Sequence, residues 1–234
     1  MKKALIGLLS ICCVELIYSQ EAVHLSLEQI SRPFKYFSDA SVSPQNFLFG
    51  KNWLKGKILA ADNSVITSDS FYFNIDKIGN ELIITHDFEN IYEVDRREFK
   101  AVMFYSGDSA FIFKRIEFIN EKDLFEVLVN DKNGYCLYKV TRSKLLKGHL
   151  GLGSFGSSRY TPFDKFIDIA QYVIVFPNRE FRKLHQLKKA AIERVFDLHA
   201  DSRRVDGYLN TLNVNKCNEG ELIELIAFLN KNAS

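Results

Sequence analysis

The chain has 234 residues, 47% hydrophobic and 26% charged, and its 31 lysines and arginines against 29 aspartates and glutamates leave a net charge of +2. So even a balance supplies no electrostatic drive toward nucleic acid. The length suffices for a real hydrophobic core, as one domain or a domain with an appendage, so stability need not come from cross-links.

The first 19 residues have the pattern of a secretory signal peptide: Lys2 and Lys3, an eleven-residue apolar run over residues 4–14, then Ile17, Tyr18 and Ser19 before Gln20. That run is too short for a permanent anchor, which needs about 20 residues. Cleavage near Ser19/Gln20 and a periplasmic or secreted protein are expected. Cys12 and Cys13 hint at a lipoprotein signal, but Ile11 stands where lipid attachment wants a small side chain, and Glu15 fits a cleavage region better. Cleavage removes two lysines and one glutamate, which takes the net charge to +1. It also leaves only Cys136 and Cys217, 81 residues apart and without a C-x-x-C partner. Export permits a disulfide, but two small buried thiols are the expectation.

Residues 22–30 suit a strand or a short amphipathic segment. Pro33, Pro44, Phe34, Phe37, Phe47 and Phe49 mark residues 31–50 as a loop pinned by aromatics. From Lys51 to Thr141 the apolar period is two: Phe71, Phe73 and Ile75; Phe99, Ala101, Met103 and Tyr105; Phe125, Val127 and Val129. That is the pattern of half-buried strands. Asp62-Asn63, Gly79-Asn80, Gly107-Asp108 and residues 131–134 fall between the runs and supply the positive φ of tight hairpins. Short connections allow antiparallel pairing alone. Residues 20–143 are therefore expected to form an antiparallel β meander, as a sandwich or a small barrel.

Residues 144–177 read as a glycine-rich connector with one short segment. Within it GLGSFG, Gly151 to Gly156, satisfies G-x-G-x-x-G. A dinucleotide site needs those glycines between a strand and a helix, with an acid about 20 residues on; here Arg142 to Leu150 intervenes upstream, and Ser157 to Pro162 cannot start a helix. A kinase reading fails for want of an H-R-D loop and because His86-Asp87-Phe88 lies upstream. Ser154, directly after Gly153, is no nucleophile elbow. The stretch is expected to be a loop without nucleotide.

Beyond Asn178 the period changes. Phe181, Leu184, Leu187, Ala191, Ile192, Val195 and Phe196 recur at three- and four-residue steps, predicting an amphipathic helix of about five turns capped by Asn178. A shorter helix is expected around Arg203 to Leu209, interrupted or closed near Gly207. Asn218, with Glu221 as capping-box partner, opens the last, whose apolar face carries Leu222, Ile223, Leu225, Ile226 and Leu229. Helices with one greasy face must cover something, so the helical region over residues 178–234 is expected to pack on the sheet in an α+β fold.

No constellation with catalytic or metal-binding spacing emerges, and neither a cofactor nor a metal is expected. His185 and His199 are 14 residues apart, about 21 Å along a helix. His24, His86 and His149 stand alone. A Cys217 nucleophile at a helix start would need a thiolate-favouring setting. Two basic clusters remain: Lys139, Arg142, Lys144, Lys147 and His149, and Arg179, Arg182, Lys183, Lys188 and Lys189. Each reads first as a solvated face, with contact to an anionic surface or partner as the functional alternative.

The cleavage end YSQ, the hairpin FYFNIDKIGNELII followed by IYEVDRREFKAVMF, the strand LYKV, and the closing stretches FRKLHQLKKAAIERVF, VDGYLNTLN and EGELIELIAFLN together resemble a group of uncharacterised exported proteins common in Bacteroidetes-type bacteria. The resemblance implies a fold and no activity. The expected function is a non-enzymatic exported module working by protein or envelope contact, with another envelope protein as the candidate partner, through the sheet face or the glycine-rich connector. A carrier of a small apolar ligand would instead show a cavity lined by Phe and Tyr, and a hydrolase would bring His, Asp and Ser together in a cleft.

Overall fold

The computed structural model describes residues 30–33, 44–146, 165–212 and 214–231. The signal peptide, residues 22–29, Phe34, Phe37, Lys147, His149 and GLGSFG lie outside them.

Twelve strands occupy the described residues: β1 (Ser31–Pro33), β2 (Lys55–Ala60), β3 (Val65–Thr67), β4 (Tyr72–Asp76), β5 (Glu81–Thr85), β6 (Tyr92–Val94), β7 (Phe99–Ser106), β8 (Ser109–Ile116), β9 (Glu121–Val129), β10 (Cys136–Leu146), β11 (Lys165–Val175) and β12 (Phe181–Leu184). One helical turn, α1 (Glu117–Asn120), separates β8 from β9, and three helices close the chain: α2 (Lys189–Phe196), α3 (Ser202–Leu212) and α4 (Glu219–Lys231). Every pairing is antiparallel. The anticipated hairpin residues make the turns, with Asn63, Asn80 and Gly107 at φ 71°, 56° and 57°, while Asp131 accepts from the Asn133 and Gly134 amides at 3.0 Å.

The strands form two sheets, in the orders β1-β6-β5-β4 and β12-β11-β10-β9-β8-β7-β2-β3. In neither order do the two end strands meet, so no closed barrel forms among the described residues. The cross-strand row Phe113, Glu126, Lys139, Tyr172 is in register across β8 to β11, and paired residues of an antiparallel ladder share a face. On one side of that row Ile58, Val102, Phe104 and Phe113 share a core with Phe73, Ile75, Leu82 and Ile84 of the four-stranded sheet. On the other side Leu137 and Ile174 share a second core with Ile192, Phe196, Val205 and Leu209, and with Leu222, Leu225, Ile226 and Leu229 of α4, all four fully buried. The same face of the large sheet is thus covered by strands at one end and helices at the other. On its reverse, Ile119 of α1 packs with Phe125, Tyr138, Val140 and Val173.

Three local expectations are corrected. Residues 178–188 are not helix: Asn178 Oδ1 accepts from the Glu180 amide at 3.0 Å, Arg179 sits at φ 66°, and the chain turns back into β12. The spacing of Phe181 and Leu184 imitates a helix because a strand covered on both faces carries apolar residues on both; Phe181 packs on the reverse face and Leu184 in the helical core. The helix itself begins at Lys189, with no side-chain cap. Within the stretch read as connector, β11 pairs over eleven residues with β10, and the run from Tyr172 to Phe176 is buried on both sides. Finally, α3 continues through Gly207, where nothing lies within 4 Å of a Cβ position; an exposed helical glycine costs only about 1 kcal/mol. Asn218 and Glu221 do form the expected capping box, at 2.7 and 3.0 Å. Cys136 and Cys217 are free and buried.

Candidate functional site

Three groupings of polar side chains could carry function, and their geometry separates them. The first is a buried wedge. Past Lys139, β10 leaves β9 and pairs with β11 alone, which would strand the backbone groups of both. The β4–β5 turn fills the split. Asn80 accepts from the Leu124 amide at 2.6 Å and donates to the Leu124 carbonyl at 3.4 Å, while the Lys77 carbonyl accepts from the Ser143 amide at 2.9 Å. Around it, Arg96 Nε donates to Glu81 at 2.7 Å, Arg142 pairs with Asp123, and Lys77 lies 2.6 Å from Asp168. Such pairing is what lets charges be buried at all. Two charged groups fall short of this: Asp76 Oδ1 and the Nε and Nη2 of Arg115 have no hydrogen-bond partner among the described residues, and burial pushes the Asp76 carboxyl above the ordinary range.

Among the described residues, the serine that bears most on a hydrolytic reading is the buried Ser143, whose hydroxyl donates to Asp168 at 2.5 Å beside a cleft of about 360 Å³. Burial alone would raise Asp168, but the hydrogen bonds from Lys77 and Ser143 hold it below the usual carboxylate range. A general base works best with its pKa near the working pH, so this carboxylate is poorly suited. The described histidines lie elsewhere: His185 against Gln171, His199 stacked 3.7 Å from Phe176, and His86 beside Asp87. Among the described residues no group of three or more His, Cys, Asp and Glu could hold a metal.

The second grouping sits between the two cores. Lys139 lies 2.8 Å from Glu219 and 3.5 Å from Glu126, and the Tyr172 hydroxyl donates to Glu219 at 2.7 Å. It ties α4 to the sheet. Burial alone would lower the Lys139 ammonium, but Glu219 and Glu126 lift it above its ordinary value. Glu126 is pushed up by its own burial. An acid with a raised pKa in the fold stabilises it fully below the unfolded pKa, and that contribution is lost as pH rises through the folded pKa. The Glu126→Gln variant cannot suffer that loss. Its stability relative to the parent is therefore expected to improve from pH 4 to pH 8 in urea titrations; an equal difference at both pH values would contradict the assignment.

The third grouping is at the surface. Three adjoining clefts of about 370, 400 and 340 Å³ all have Arg182 of β12 in their walls. Arg194 of α2 lines two of them, together with Val195; Phe118, Arg179 and Phe181 line the third. Among the described residues neither the Arg182 nor the Arg194 side chain has a hydrogen-bond or ion-pair partner. Glu180 and Asp197 also border the clefts, leaving positive charge in excess. Large apolar side chains stand exposed beside it, Phe118 at 56% and Leu198 at 91%.

The basic clusters seen in sequence divide accordingly. Lys139 and Arg142 are neutralised internally, and Lys189 is engaged by Asn210 at 2.6 Å. Arg179, Arg182 and Lys183 remain exposed on the edge of the large sheet, joined by the exposed Arg194 of α2. Phe49, Phe104 and Phe113 fill a core, meeting at centroid separations of 5.3 to 6.4 Å, while Phe118 and Phe181 wall an open surface cleft. No helix among the described residues is long and apolar enough to cross a membrane. Comparison with protein-family models, with curated proteins and with solved structures finds no match for this chain.

Proposed function

We propose that the protein is a non-enzymatic, exported contact module that engages an acidic protein partner through the clefts around β12. The observation that carries this reading is the shared position of Arg182, a guanidinium without an acidic partner at the meeting point of three clefts. Planar guanidinium groups suit carboxylate recognition, and exposed apolar side chains beside them add the buried area that charge alone does not supply. Export rests on residues 1–19, and the β region reads as an open, sandwich-like stack of two sheets.

The test uses the mature chain and a fluorescent ten-residue oligoglutamate, with oligolysine as control. Oligoglutamate binding that weakens as salt rises, and that falls at least about tenfold in Arg182→Glu/Arg194→Glu, is the expected result. Equal binding of the two oligomers, or an unaffected double variant, would defeat the reading. So would a chain recovered from the cytosol with residues 1–19 intact, where a start near Gln20 outside the cytosol is expected.

A further inference from the structure

We infer that β12 is an acceptor edge, taking an extended segment of the partner as an added strand whose side chains alternate between acidic and apolar. This rests on the contact reading above and specifies its mode.

The backbone supplies the first argument. Among the described strands β12 ends the large sheet and pairs only with β11. The Phe176 amide donates to the Glu180 carbonyl at 2.8 Å, which makes that pair a hydrogen-bonded one. Hydrogen-bonded and non-hydrogen-bonded pairs alternate along an antiparallel ladder. Arg182 and Leu184 therefore turn their amides and carbonyls to β11, and Phe181 and Lys183 turn theirs outward. No other described strand takes up those outward groups.

The side chains supply the second. Leu184 enters the helical core, so Arg182, two residues before it, lies on the helical face. There it meets Arg194 in two of the clefts. Phe181 lies on the reverse face, where it and Phe118 approach at a centroid separation of 6.4 Å and wall the third cleft. One short strand is thus flanked by a cationic cleft on one face and an aromatic cleft on the other. A strand laid beside it projects successive side chains to those same two faces. Acidic residues at one parity reach Arg182 and Arg194, and apolar residues at the other reach Phe118 and Phe181.

Charge decides the occupant. Exposed basic residues on a short edge discourage pairing with another copy of the same edge, because like charges opposed across a ladder are destabilising. A lipid surface is flat and offers the outward amides no acceptors in register. An acidic extended segment of protein satisfies both requirements.

The test uses two eight-residue probes of identical composition, one alternating valine and glutamate and one with four valines followed by four glutamates. Saturable binding of the alternating probe, several-fold tighter than the blocked one, is expected, with amide exchange at Phe181 and Lys183 slowed on binding to the unaltered protein. Lys183→Pro removes an outward donor and leaves the ladder to β11 intact; it should weaken the alternating probe about tenfold, against at most about threefold for Lys183→Ala. Equal affinity for the two probes, no exchange protection, or equal binding by Lys183→Pro and Lys183→Ala overturns strand addition. If Arg182→Glu/Arg194→Glu still weakens binding in that case, the contact reading survives alone; if it does not, both fall. Binding to phosphatidylglycerol vesicles with neither probe bound also overturns both.

Discussion

Replacing Arg96 by alanine is expected to lower stability by about 3 kcal/mol, the range for stranding one member of a buried ion pair. The carboxylate left behind is Glu81, whose side chain is only 8% exposed. Its partner, about one-third exposed, covers it, with Nε donating to Glu81 at 2.7 Å and Nη2 reaching the Gly79 carbonyl at 3.4 Å. The cost arises from the desolvated charge that remains, more than from the bond that is lost. Arg96→Met/Glu81→Met, which removes both charges, should therefore recover stability to within about 1 kcal/mol of the parent. Urea unfolding at pH 7 of the parent, the single and the double variant measures the difference. A single variant within about 0.5 kcal/mol of the parent would show that water reaches Glu81 freely.

Phe104→Ala is expected to cost about 3 to 5 kcal/mol, the usual penalty for emptying a packed aromatic site. Phe104 is completely buried in the core shared by the two sheets, with the rings of Phe49, Phe73 and Phe113 at 5.4, 6.2 and 5.3 Å. The surroundings cannot readily close over the vacancy. Gly56 faces Phe104 and Phe73, but a Cβ there would stand 2.6 Å from the Met103 carbonyl oxygen, so the backbone on that side is already fixed. Calorimetric unfolding checks the loss. A change below about 1.5 kcal/mol would mean that the four-stranded sheet shifts to refill the space.

The strand around Phe73 and Ile75 was legible because these two face a core with Asn74 between them, whereas in β7 the alternation of Phe99, Ala101, Met103 and Tyr105 marked a strand but not its core face, since Val102 and Phe104 enter the core and Tyr105 is exposed. Turn residues were legible for a local reason as well: Asn63, Asn80 and Gly107 adopt backbone conformations that few other residues tolerate. The capping box at Asn218 and Glu221 is equally local. The elements that escaped are those with both faces covered. In β11 and β12 the period of two disappears when neighbouring positions on both faces are apolar, and Phe181 to Leu184 then imitates a helix. The basic residues of the clefts stood out as a cluster, but Arg194 joins Arg182 only because the chain reverses at Arg179. Asn80 and Leu124 are 44 residues apart, and no sequence pattern connects an asparagine side chain to a strand it completes.

That last contact bears on how the molecule assembles. Lys77 reaches Asp168 across 91 positions and Asn230 of α4 brackets the Tyr135 backbone across 95, so the early hairpin and the final helix both close on strands made by the middle of the chain. Long loops must form before these contacts repay them, a topology associated with slow folding. Until residues 76–81 arrive, the gap between β9 and β10 presents bare amides and carbonyls to any passing strand, and the nascent protein is most exposed to mispairing there.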